Sequence, residues 1–284
     1  MFSTSYIVVD PPSRFDREED LQRALAFLRS LGFDGAELNI ADPLGVDIDH
    51  LEGWVDDLDL ALPSFMTGGA YADGLCLSSP DLSVRKRTVA RLISYIETAR
   101  RFDAVLAVGL LQGLRTDEPD AEVANDRIVE CFREIAPAAE ESGVQFVLEP
   151  VNHLQVGFNN SVKEVLAIIE RVGSPALKPM VDTLHMNIEE SSPMQCIFDV
   201  GADLRHVHFC DSNGGLLGSG NVDLAAAWDA LQRIDYERFV SVKVYRCPVW
   251  QEAAQSAMEY LKGLPWPIGS GEGPGEGHSV DSRG

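Results

Sequence analysis

Glu149, Asp182 and His208 each lie at or near the end of a short apolar run, in QFVLE, PMVD and LRHVHFC. If those runs are neighbouring parallel strands, they lie about 4.8 Å apart and the three side chains can meet at one point. Two hard oxygen donors and one imidazole suit Mn²⁺, Mg²⁺, Co²⁺ or Fe²⁺ better than they suit a thiolate zinc site. The same three groups also make sense as a hydrogen-bonded set without an ion. Asp10, Glu37 and Lys243 occupy equivalent places in other runs. Six ionisable groups gathered at one mouth are costly unless a cation, a substrate or one another offsets the charge. His185 follows Asp182 by three residues and is either a substrate contact or a locally satisfied loop histidine. His206 precedes His208 by two, so it faces the same side one layer deeper and reads as structural.

The elements that would have to position these groups alternate between short apolar runs and longer segments of helical periodicity. Strands are expected near 6–9, 35–40, 61–65, 104–108, 145–149, 179–182, 204–210 and 239–245. Helices are expected over 18–31, 48–55, about 80–101, 120–141, 162–172, 224–234 and 253–261, with Gly32 closing the first. About eight strand-then-helix units predict an α/β fold, a single (β/α)₈ TIM barrel, whose site lies at the C-terminal ends of the strands. An open doubly wound sheet would want fewer units and a glycine-rich first turn, and no GxGxxG follows any strand. The barrel is expected over residues 1–266. Residues 267–284, rich in Gly, Ser and charge, are expected to be a disordered tail.

The chain has 284 residues and a formal net charge of −22, which makes nucleic acid and anionic membranes poor partners. Its five cysteines are widely spaced and include no CxxC pair, which argues against a disulfide framework. The opening MFSTSYIVVDPPSRFD lacks a basic region followed by a long apolar run, and no stretch reaches the roughly 18 apolar residues of a membrane span. The expected location is cytoplasmic, and homo-oligomerisation is left open.

The segments LEPVNH (148–153), VDTLHMNIEE (181–190), HVHFCDSN (206–213) and RFVSVKVY (238–245) are similar to the metal-site segments of the ketose 3-epimerases, a group within the xylose-isomerase-like barrels. GFDGAELN (32–39) resembles that group too, and the resemblance runs nearly to Leu264. It implies a divalent cation, Mn²⁺, Mg²⁺ or Co²⁺, held by Glu149, Asp182 and His208, with a second Glu as fourth ligand. It also implies proton removal at C3 by one Glu and its return by the other. His185 matches the family's substrate-binding histidine, and Glu37 and Gln155 are further expected substrate contacts.

Three departures stand out. Lys243 stands where the family has the second catalytic Glu, Gly214 where it has a substrate-binding Arg, and Gln155 where it has a Glu that partners the histidine. Lys243 is one of five lysines, and an ammonium near the core is rarely left unpaired. It could bridge Glu149 and Asp182 in place of a cation, act as a neutral second base beside a metal, or have left the site. The expected activity is a sugar isomerase or epimerase acting on a small non-phosphorylated keto-sugar, with Glu149 and Lys243 as its catalytic pair. A keto-sugar lyase or dehydratase would need only one base on one face. A non-catalytic sugar-binding relative is the alternative outside catalysis. An abasic-site endonuclease is disfavoured by six histidines and the acidic surface.

Overall fold

The short apolar runs pair in chain order. In the computed structural model, which describes residues 2–8 and 18–265, eight parallel strands form a closed barrel. They are β1 (Ser3–Val8), β2 (Gly35–Asn39), β3 (Ser64–Met66), β4 (Val105–Val108), β5 (Phe146–Leu148), β6 (Leu177–Asp182), β7 (His206–Phe209) and β8 (Phe239–Val242). Closure is direct: Ser5 of β1 is in register with Ser241 of β8. The outer layer is helical. Its members are α1 (Glu18–Leu31), α2 (Ile48–Leu58), α3 (Leu82–Arg101), α4 (Ala121–Ser142), α5 (Val162–Val172), α6 (Thr183–Glu189), α7 (Pro193–Val200), α8 (Leu224–Arg233) and α9 (Trp250–Lys262). This is the TIM barrel anticipated from the alternation of runs. Asp10 and the expected tail at 267–284 fall outside the described residues.

Most apolar burial lies between the outward strand faces and the helices. Leu25 and Leu28 of α1, Leu92 and Tyr95 of α3 and Trp228 of α8 are all fully buried there. Trp228 meets Phe2 edge-on at 4.5 Å, which ties the start of β1 to α8. Side chains alternate along each strand, so every second residue points into the barrel. Ala107, Val147 and Met180 form a separate apolar cluster of alternate-position residues on β4–β6. The alternate positions of the other strands carry Ser5, Glu37, Ser64, His206 and Ser241, all buried.

The third strand and the segment between β6 and β7 differ from the sequence expectation. The third strand begins at Ser64, not at residue 61, because Pro63 has no N–H to give the ladder. Ala61 keeps only an isolated bridge to Gly35. Between β6 and β7, where no helix was expected, the chain forms α6 and α7. The first starts without a loop: Asp182 is both the last residue of β6 and the N-cap, its Oδ1 accepting from the backbone N–H of Leu184 and His185. Among the described residues no helix is long and apolar enough to cross a membrane.

Candidate active site and cation site

Strand geometry brings the expected trio together. Asp182 and His208 are register partners on β6 and β7, and Glu149 is the first residue after β5. One donor atom from each of Glu149, Asp182 and His208 lies within 4.8 Å of the others, and all three side chains are buried. His208 Nδ1 lies 3.2 Å from Glu149 Oε1 and 3.6 Å from Asp182 Oδ2. Lys243, the first residue after β8, donates from Nζ to Asp182 Oδ2 at 2.5 Å and lies 3.5 Å from Glu149 Oε1. The ammonium therefore bridges the two carboxylates.

Glu37 sits beneath this group and does not reach the cavity. It is fully buried on β2, accepts from Ser64 Oγ at 3.1 Å, and places one oxygen 3.1 Å from His208 Nε2 and the other 2.8 Å from His206 Nε2. His206 Nε2 is also 3.1 Å from Ser241 Oγ, so His206 belongs to the barrel's internal network. With Glu37 holding Nε2, the His208 ring is fixed with Nδ1 aimed at the Glu149–Asp182 pair. A carboxylate behind a histidine is a common way to orient it for a metal.

His185, on α6, packs into the same site. Leu154 N–H donates to Asn152 Oδ1, which leaves the Asn152 amide nitrogen facing His185 Nδ1 at 2.8 Å. An amide N–H must donate there, so His185 carries its proton on Nε2, which lies 3.8 Å from both Glu149 Oε1 and Asp182 Oδ2. Burial pushes the His185 pKa down, which keeps this ring neutral. Asn152 was not singled out in the sequence, although it lies three residues after Glu149 in the loop of the same strand.

Glu149, His185 and Gln155 line a cavity of about 230 Å³ that opens towards the ends of β2–β5, with Asn39, Met66 and Gly109 on its other walls. That is below the roughly 300–1,000 Å³ of sites for drug-sized ligands, and it suits a small molecule. A Cβ at Gly109 would lie 2.4 Å from Glu149 Oε2, so the glycine makes room for this oxygen on the cavity side. Gly214 has φ +65°, and a Cβ there would meet the Tyr245 ring at 2.4 Å. The place expected from the resemblance to hold an arginine is thus closed by Tyr245.

The charges hold one another. Burial alone would raise the Glu149 carboxyl, but the Lys243 ammonium and then His208 outweigh it and hold the group at about 2. Asp182 is lowered well below the usual range: burial opposes this, and Lys243 and His185 prevail. Burial pushes the Lys243 ammonium towards neutrality, and Asp182 followed by Glu149 push it further the other way, so it stays charged. The two carboxyls are lower in the folded chain than in the unfolded one, where a Glu titrates at about 4.3. The stabilisation from Glu149 is complete above that pH and is lost as pH falls through about 2, and the lowered Asp182 acts in the same direction. The urea midpoint of chelator-treated protein should accordingly fall steeply between roughly pH 4 and 2. A midpoint flat across that window would contradict these pairings.

Glu149, Asp182 and His208 fit a hard divalent cation by donor type and spacing. The fourth quarter of the site does not: the Lys243 ammonium fills it. An ion about 2.1 Å from Asp182 Oδ2 would lie within about 5 Å of an ammonium in that place, a repulsion of several kcal/mol at an effective dielectric near 20.

The family model for the xylose isomerase-like TIM barrel matches residues 25–264. An L-ribulose 3-epimerase of Mesorhizobium japonicum is 32% identical over 238 residues, which cover 83% of this chain and 79% of the relative. A ketose 3-epimerase of Arthrobacter globiformis is 29% identical over 223 residues, 77% of this chain and 75% of the relative. Among solved structures, an L-ribulose 3-epimerase aligns with a TM-score of 0.81 at 27% identity, over 92% of this chain and 94% of that one.

Proposed function

The chain belongs to the xylose isomerase-like TIM barrel family, and from that premise we propose that it is a sugar epimerase or isomerase acting on a small, non-phosphorylated keto-sugar. The observation that carries this reading is the pairing of Glu149, with one oxygen over Gly109, and the Nε2–H of His185 at the wall of one small cavity. The relatives named L-ribulose 3-epimerase and ketose 3-epimerase support the substrate class.

A keto-sugar in the cavity presents a carbonyl and the C–H beside it. Glu149 Oε2 takes the proton from that carbon and later returns a proton to the enediolate. His185 Nε2–H donates to a substrate oxygen as that oxygen gains charge. Gln155, exposed at the cavity edge, contacts a hydroxyl. Lys243 keeps Glu149 and Asp182 ionised, so it acts through them. Glu37 positions His208 from below. Glu149, Asp182 and His208 are the residues that would hold Mn²⁺, Mg²⁺ or Co²⁺, which when bound supplies charge stabilisation for an oxygen turning negative.

A lone carboxylate oxygen at the cavity serves one face of a substrate. Elimination by a keto-sugar lyase or dehydratase, which needs one base on one face, therefore stands as the second reading. Both are tested by incubating the protein, with and without Mn²⁺, in heavy water with a ketose panel that includes L-ribulose and D-psicose. Deuterium beside the carbonyl is expected. A C3 epimer identifies the epimerase, an aldose the isomerase and a dehydrated product the lyase. No exchange into any ketose would overturn the assignment.

A further inference from the structure

Three nitrogen groups from three separate parts of the chain converge on the same two oxygens. Around Glu149 Oε1 and Asp182 Oδ2 stand His208 Nδ1 at 3.2 and 3.6 Å, His185 Nε2 at 3.8 and 3.8 Å, and Lys243 Nζ at 3.5 and 2.5 Å. The histidines are held in place by Glu37 and Asn152. Among the described residues the lysine is held by the carboxylates it bridges, at the end of a flexible four-carbon arm whose side chain is 13% exposed. An ion ligated by Glu149, Asp182 and His208 would share both oxygens with that ammonium. Two cations that close repel strongly in a protein interior.

We infer that Lys243 is a built-in counter-cation: its ammonium occupies the place of the divalent ion between Glu149 and Asp182 and must swing out before an ion can bind. The inference rests on the cation site proposed above and not on the identity of the sugar. It has two consequences. The metal-free chain carries its own counter-charge at this point, so it needs no ion to stay folded. Ion affinity is set by competition with the chain's own side chain, and it is weaker than the donor set alone would give.

The test uses the full chain, stripped with a chelator, as wild type and as Lys243→Met, Lys243→Arg and Lys243→Glu. Thermal midpoints with and without Mn²⁺ and calorimetric titration with Mn²⁺ are the readouts. Metal-free Lys243→Met should melt below wild type, since two buried carboxylates lose their partner, and Mn²⁺ should restore its midpoint. Lys243→Met should bind Mn²⁺ at least ten-fold tighter than wild type, and Lys243→Glu tighter again. Lys243→Arg, which keeps the charge, should bind as weakly as wild type. A wild type that shows no heat with Mn²⁺ beside a Lys243→Glu that binds also supports the competition. If Lys243→Met fails to fold without metal, its folding when Mn²⁺ is present supports the same conclusion. Equal Mn²⁺ affinity in wild type, Lys243→Met and Lys243→Glu, or no binding by any of them, would overturn it. These measurements do not involve turnover. Absence of deuterium exchange would therefore remove the epimerase reading and leave this one standing.

Discussion

Glu149→Gln should lower turnover by about 10²–10⁴-fold, the usual contribution of a positioned acid–base group, while leaving the chain folded. The amide has the shape of the carboxylate and can still meet His208 Nδ1, now 3.2 Å from Glu149 Oε1. Lys243 keeps Asp182 Oδ2 at 2.5 Å, so its ammonium is not stranded. What the substitution removes is the group that takes the proton. The comparison is kcat on the ketose that exchanges fastest, read beside the thermal midpoint. A variant that keeps more than a tenth of wild-type turnover would take the proton-transfer role away from Glu149.

Glu37→Ala should cost the most stability of any single change at the site. The carboxylate is fully buried, accepts from Ser64 and stands against both His206 and His208. Burial would raise its pKa, yet His208 and His206 hold it well below the usual range, so it is the counter-charge for the ring network. Removing one partner of a buried charged pair costs about 3–5 kcal/mol, since the other is left without compensation. For a chain of this size that corresponds to a thermal midpoint lower by roughly 10 °C. Glu37→Gln should lose less, because an amide oxygen still accepts from Ser64 or one ring. Calorimetric melting of the three proteins decides the point. A Glu37→Ala midpoint within 2 °C of wild type would mean that the network carries no such energy.

The residues that converge were legible because a parallel barrel imposes a simple rule. A polar group where an apolar run ends must point out of the strand ends or into the barrel mouth, and period-two alternation decides which neighbours share its side. That rule, applied to QFVLE, PMVD and HVHF, is enough to bring Glu149, Asp182 and His208 to one point and to put His206 one layer below. It does not distinguish depth around the ring. Glu37 obeys the same rule as Glu149, yet β2 sets it against rings 169 and 171 residues away, below the cavity floor. Nothing local in GFDGAELN carries that information.

Local sequence chemistry was enough to read the barrel and the meeting of Glu149, Asp182 and His208, because hydrophobic period and strand-end polarity act over a few residues at a time. Tertiary structure alone decided what those groups do to one another. Whether Lys243 is a base, a bystander or a bridge depends on a 2.5 Å contact to Asp182 from the end of β8 to the end of β6, with β7 between them. The tautomer of His185 depends on how the Leu154 N–H turns the Asn152 amide. Distances of this kind follow from how helices and loops seat the strand ends, and electrostatic energy varies steeply over them. The spacing of residues along the chain does not encode those distances.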